Sequence, residues 1–206
     1  MSHSSGLIVL LDANVLYPAP IRDLLLSLAE IGMYQPKWSK LIQQEWMRNL
    51  LIKRPDLFES QLFTTVSAMN KAFPDANTTG FEKLIQGLDL PDLNDRHVLA
   101  AAIKSRSKII VTFNLKDFPK KYLNEYEIKA QHPDIFISNC IQSDEIKSFN
   151  ALVNQVKRLT NPVKTIEEVL STLSNAGLVK SCTLFKQTWQ NSLRQYSLIL
   201  LFNFAF

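Results

Sequence analysis

The sequence predicts an α/β fold, a central parallel sheet with helices on its faces, continued by a mainly helical extension. Residues 7–11 (LIVLL) and 109–113 (IIVTF) are short and uniformly apolar, as strands covered on both faces are. The patterns between them are helical, and strand, helices and strand in that order favour a parallel sheet. From Asp144 onward only helical periodicity remains.

The elements follow in order. After the first strand, Ile21, Leu24, Leu25, Leu28 and Ile31 recur at helical spacing, and Gly32 stands where a helix C-cap belongs. A second helix starts near Ser39 and runs through LIQQEWMRNLLI. A third carries Phe58, Leu62, Val66, Met69 and Phe73 on one stripe until Pro74 stops it. Asn94 or Asp92 can cap a helix that buries Val98, Leu99, Ala102 and Ile103. The second strand then ends on Asn114. The stretch YEIKA reads as a short edge strand. In the extension, Ile146, Phe149, Leu152, Val153, Val156 and Leu159 form one stripe, and a capping box from Thr165 to Glu168 opens a further helix that closes near Gly177. The expected division is 1–125 for the α/β body and 126–206 for the extension.

Composition bounds the function. A hydrophobic share of 46% and a charged share of 20% are ordinary for a soluble globular protein, and 206 residues can bury a proper core. The net charge of +4 permits a polyanionic partner such as nucleic acid without requiring one. Cys140 and Cys182 form no motif, which fits a reducing cytoplasm better than a disulfide scaffold. The start of the chain carries no basic n-region, and Asp12 interrupts its apolar run, so no signal peptide is expected. The tail SLILLFNFAF falls far short of the roughly 20 residues that span a bilayer; it is expected to pack on the body or on a second subunit. No membrane association is expected.

In an open parallel sheet, sites form beyond the carboxyl ends of the strands. Asp12 and Asn114 stand there. Glu45 lies on a helix face with Leu41, Ile42 and Ile52 around it, where a charged carboxylate needs a partner; it reads equally as a surface Glu paired with Arg48. Asp95 leads the apolar stripe of Val98, Leu99 and Ala102, and alone it reads as an ordinary first-turn acid. Asp92 reads as a cap or turn residue rather than a ligand. Asp117 is either a ligand or a shaper of the NLKDFP loop. Taken together, these acids require a cation between them, and an all-oxygen donor set favours Mg²⁺ or Mn²⁺ over zinc. Such an ion suits phosphodiester hydrolysis. No G-x-G-x-x-G, P-loop, zinc spacing or nucleophile elbow is present. His97 lies about 200° around the helix from Asp95 at the regular helical increment, and with His132 it is expected to be structural or at the surface.

LIVLLDANVLYP, the Glu of LIQQEWMRNLL, LPDLNDRHVLAAAI and IIVTFNLKDFP, covering residues 7–119 in order, resemble the PIN-domain ribonucleases, and among them the VapC-like toxins of bacterial type II toxin–antitoxin modules. AQHPDIF and the helices after it resemble a subgroup with an added C-terminal region. The resemblance implies a three-layer α/β/α fold and a Mg²⁺-dependent endoribonuclease in which Mn²⁺ can substitute. Its expected substrate is structured RNA such as transfer or ribosomal RNA, with a co-expressed antitoxin, a homodimeric state and a cytoplasmic setting. By position it makes Asp12, Glu45 and Asp95 the principal acids. Asn114 falls at the fourth position, which is often Asp in the family; Asn114 is thus a catalytic support without charge, and Asp117 an alternative ligand.

An acidic pocket that takes RNA needs a basic approach, and Arg22, Arg48, Arg96 and Lys116 are the candidates next to the motifs. Two rival readings stand beside the nuclease: a structure-selective DNA nuclease, and a non-catalytic RNA-binding or scaffold protein with a decayed site, which Asn114 keeps open.

Overall fold

A computed structural model describes residues 6–203, with side chains to Ser192. The chain divides into two compact units, the first ending at Pro133 and the second starting at Asp134.

The first unit is built in the order β1 (Ile8–Leu11), α1 (Ala13–Leu16), α2 (Ala19–Glu30), β2 (Gln35–Ser39), α3 (Lys40–Lys53), α4 (Glu59–Ala72), β3 (Asn77–Thr78), α5 (Glu82–Ile85), α6 (Arg96–Lys104), β4 (Ile109–Val111), α7 (Lys120–Leu123) and β5 (Lys129–Gln131). Its five strands form one all-parallel sheet in the order β3-β2-β1-β4-β5. β1 is the central strand, and Val9, Leu10 and Leu11 are wholly buried. The chain leaves β1 in one direction for β2 and β3, then returns across the sheet for β4 and β5. With right-handed crossovers, that reversal puts α2 and α3 on one face and α6 and α7 on the other. The structure is thus an α/β fold of the PIN-like kind, and α6 packs across β1, β2 and β4. The reversal falls between β1 and β4, whose registered pairs Leu10–Ile110 and Leu11–Val111 bring both carboxyl ends to one point.

Gly32 closes α2 as the sequence suggests. At φ +79° it adopts the left-handed conformation, so Met33 N–H reaches the Leu28 carbonyl and Gly32 N–H that of Ala29. The sheet also holds strands without an apolar signature. β2 reads QPKWS, and its proline argues against an interior strand. The alternation of parallel pairing explains the exception. Gln35 N–H points to β1 and Trp38 N–H to the Ala76 carbonyl, so residue 36 also faces the β3 side, where pairing starts only at Trp38. Pro36 therefore has no ladder bond to lose. β5 is the edge strand expected from YEIKA, shifted to Lys129–Gln131. The sheet-bearing unit accordingly extends past residue 125.

The second unit comprises α8 (Pro133–Ser143), α9 (Glu145–Arg158), α10 (Ile166–Asn175) and α11 (Val179–Asn203). The capping box of α10 is present, with Glu168 N–H donating to Thr165 Oγ1 at 3.2 Å and Thr165 N–H to Glu168 Oε2 at 2.8 Å. The buried face of α9 differs from the expected stripe. It consists of Ser148, Ala151, Leu152 and Gln155, and Ile146 is exposed. Leu152 of that stripe is wholly buried, and Phe149, Val153 and Val156 are partly buried at its margin. The side chains of the apolar tail, 197–206, lie outside the described residues. Among the described residues, no helix is long and apolar enough to cross a membrane.

The unit is tied together by Asp134. Its carboxylate accepts from the N–H of Lys180 at 2.9 Å and of Ser181 at 2.8 Å, and from Ser181 Oγ at 2.7 Å, so a residue of α8 caps the start of α11. Asp134→Ala is expected to cost about 1–2 kcal/mol and to speed amide exchange at Lys180 and Ser181. Unchanged exchange there rules out the cap.

Candidate active site

Asp12 caps α1 directly beyond β1 and is 4% exposed. Its Oδ1 accepts from Ala13 N–H at 2.7 Å; its Oδ2 accepts from Thr112 Oγ1 and Asn14 Nδ2, both at 2.7 Å. Asn14 is itself fixed, since its Nδ2 also reaches Thr112 Oγ1 at 2.8 Å and its Oδ1 accepts from Phe113 N–H at 3.0 Å. The ends of β1 and β4 are thereby stitched together around one carboxylate. Burial pushes the Asp12 pKa up from the ordinary 3.8 to about 6; the Thr112 bond opposes that shift, and the charge of Glu45 adds to it.

Asp95 is half-buried at the end of a 3₁₀ turn, Leu93–Asp95, that leads into α6. Asp92 opens this turn by accepting from Asn94 N–H at 2.8 Å, the cap the sequence suggests. It does more than cap. One carboxylate oxygen from each of Asp92, Asp95 and Asp117 lies within 4.8 Å of the others. Desolvation, then the charges of Asp12, Asp92, Asp117 and Glu45, push Asp95 up to about 7. Asp117 reaches the group from the loop after β4, where its Oδ2 accepts from the amide of Asn114.

Glu45 enters from α3. It shares a recess of about 470 Å³ with Asp92, Asp95, Asn114, His97 and Arg48. Its partner is His97, whose Nε2 lies 3.4 Å from Glu45 Oε2. This differs from the sequence reading of both residues. Of the apolar neighbours expected around Glu45, Ile42 is wholly buried, but Leu41 and Ile52 are exposed. His97 is not remote from the acids, because the one it meets, Glu45, comes from α3 rather than from its own helix, so its angle from Asp95 does not decide the contact.

The structure therefore brings together Glu45, Asp95, Asn114 and Asp117, and it places Asp12 within electrostatic reach of Glu45 and Asp95. It adds Asp92, His97, Asn14 and Thr112. Thr112 stands two residues before Asn114 at a strand end, and that position was its only sequence signal. Of the basic candidates, Arg48 and Lys116 are exposed near the recess. Arg96 is partly exposed and donates to the Leu93 carbonyl at 3.0 Å. Arg22 does not fit an RNA contact. It is 8% exposed, donates to the Leu16 carbonyl at 2.9 Å and lies 4.9 Å from the centroid of the Trp46 ring.

The donor set is entirely of oxygen and negatively charged, which fits a hard divalent cation.

Residues 133–187 match the family described as VapC50 C-terminal domain. The chain is 35% identical, over 111 residues, to a Mycobacterium tuberculosis (strain ATCC 25618 / H37Rv) protein named "Putative ribonuclease VapC50". That similarity covers 52% of this chain and 65% of the relative, so just under two thirds of the relative's length is spanned. No solved structure matches the chain. Both similarities support the resemblance to VapC-like toxin ribonucleases carried by the motifs of residues 7–119.

A carboxyl that is easier to protonate in the folded chain than in the unfolded one favours folding at low pH. For Asp12 that contribution is complete below about pH 4 and is lost as pH rises through about 6. Its size is on the order of 2–3 kcal/mol. In EDTA, the stability of the wild-type protein against urea is expected to fall between pH 4 and pH 8, and the fall to be smaller in Asp12→Asn, which also lacks one acceptor oxygen. Equal pH slopes overturn this, and a variant merely less stable throughout does not.

Proposed function

We propose that the chain is a metal-dependent endoribonuclease that hydrolyses RNA phosphodiester bonds, acting as the toxin of a toxin–antitoxin module that inhibits translation. The observation that carries the reading is the meeting of Asp12, Glu45, Asp95 and Asp117 at the carboxyl edge of the sheet, from four separate segments. The similarity to a protein named as a ribonuclease supports it.

Each residue has a part in this reading. Asp12, Asp95 and Asp117 hold the cation, and Asp92 adds a fourth carboxylate to their group. Bound Mg²⁺, or Mn²⁺ in its place, neutralises the carboxylates, acidifies a water and stabilises charge on a phosphoryl oxygen. Glu45 orients the attacking water and takes its proton, with His97 fixing the carboxylate from the side. The amide of Asn114 is committed to Asp117, so it steadies that carboxylate and leaves its own carbonyl oxygen for a ligand. Arg48 and Lys116 contact backbone phosphates of the incoming strand. The nuclease function resides in the sheet-bearing unit, and the helical unit is an accessory. A cognate antitoxin, a homodimeric state and a cytoplasmic setting complete the proposal on the strength of the family resemblance.

Purified protein with Mg²⁺ or Mn²⁺ is expected to cut structured RNA and to spare matched DNA. EDTA should stop cleavage, and Asp12→Asn or Asp95→Asn should each slow it by about 100-fold or more. Undiminished cleavage by Asp12→Asn removes the site. If no cleavage is seen, calorimetry with Mn²⁺ separates a decayed site from a silent one: a working site binds the ion and weakens in Glu45→Gln.

A further inference from the structure

Glu45 borders a second recess. This one, of about 250 Å³, is lined by Asn14, Tyr17, Asn49, Ile52 and Lys53 together with Glu45, and so lacks the aspartates of the first. Its chemistry is different. Tyr17 supplies a half-buried aromatic ring, with Lys53 Nζ 5.6 Å from its centroid. Arg54, the next residue, is committed to Asp56, to which its guanidinium donates at 2.8 and 2.6 Å, and takes no part in the recess. Ile52 is 73% exposed at the rim, an apolar side chain with nothing over it. Asn14 is fully engaged with Asp12, Thr112 and Phe113, so it forms a fixed wall. Asn49 is exposed and makes no hydrogen bond among the described residues, which leaves one donor group and one acceptor group facing solvent.

An aromatic face, an apolar rim, an uncommitted amide and a cation match the parts of one nucleotide. Proteins that read single-stranded RNA stack splayed bases on aromatic rings, hydrogen-bond their edges and hold the backbone with cations. The recess is smaller than a drug-sized site, which suits a single base. Its position matters as much. Because Glu45 is common to both recesses, a strand whose phosphate lies among the acids places a neighbouring base next door. The ordinary alternative is a surface cation–π pair of Lys53 with Tyr17, but that pair leaves Ile52 bare and Asn49 unused.

The geometry points to a nucleotide-specificity subsite: the base beside the scissile phosphate stacks on Tyr17 against Ile52, Asn49 reads its edge, and Lys53 holds the flanking phosphate. This rests on the ribonuclease reading above. Tyr17 and Asn49 are accordingly binding residues, separate from the acids that carry the chemistry.

The test uses binding and cleavage together. In the full-length Asp12→Asn protein, which holds RNA without cutting it, a fluorescent single-stranded RNA of random sequence is titrated against Tyr17→Ala, Tyr17→Phe and Asn49→Ala versions of known thermal stability. Tyr17→Ala is expected to weaken binding by about 10-fold, and Tyr17→Phe, which keeps the ring, to restore it. In the otherwise wild-type protein, sequencing of the ends cut from a randomised RNA is expected to show a base preference beside the cut that Asn49→Ala flattens. Unchanged binding in Tyr17→Ala, or an unchanged preference in Asn49→Ala while cleavage still depends on Asp12, overturns the subsite and leaves the nuclease standing. Binding that depends on Tyr17 in a protein that never cuts RNA overturns the nuclease and, with it, the placing of this recess beside a scissile phosphate.

Discussion

Like charge crowded into one place is the constraint on which the rest of this structure turns. Asp95 sits in the combined field of Asp12, Asp92, Asp117 and Glu45, and Asp12 is buried as well. Neither condition helps the chain to fold at neutral pH. The strand order nevertheless forces the meeting. Reversal between β1 and β4 sets two strand ends side by side, and α6 brings its leading turn to the same edge while packing across three strands. The hydrogen bonds from Thr112, Asn14 and Ala13 then hold Asp12 in a fixed attitude. Such local conflict, resolved by surrounding structure, is what the proposed catalytic role requires of these residues.

How legible this was depends on what each residue answers to. Asp12 and Asn114 could be placed because apolar strands announce their own ends, and Asp95 because α6 has an unambiguous buried stripe. β2 and β3 could not, since pairing partners rather than side-chain alternation define them. Pro36 is acceptable only because of where β3 begins, a fact 40 residues away in the chain. The pairing of His97 with Glu45 was not legible for a smaller reason: position around one helix says nothing about an acid supplied by another. Thr112 illustrates a third kind of difficulty: a hydroxyl at a strand end carries no distinguishing pattern until the carboxylate it serves is seen beside it.

The helical unit follows a different logic. Its signals are caps, namely Asp144 for α9, Thr165 for α10 and Asp134 for α11. Two of these are local and were readable. The third joins residues 47 apart in sequence and was not. The family match over 133–187 begins one residue before this unit and ends within α11, so it spans the segment that Asp134 closes. Several interior positions are serines, among them Ser138, Ser148 and Ser181, and this explains why apolar periodicity alone put the face of α9 in the wrong place.

Arg22 has a consequence for any survey in which positive charges are neutralised one at a time. Its guanidinium ties the carbonyl that ends α1, just after Asp12, to the ring of Trp46, the residue next to Glu45. It thus acts as a spacer behind the two carboxylates. Losing it removes that bond and the packing on Trp46, and so the support behind both carboxylates. An inactive Arg22 variant therefore looks, in an activity screen, like the loss of a hand on the substrate, when what has slipped is the hinge pin at the back of the jaw.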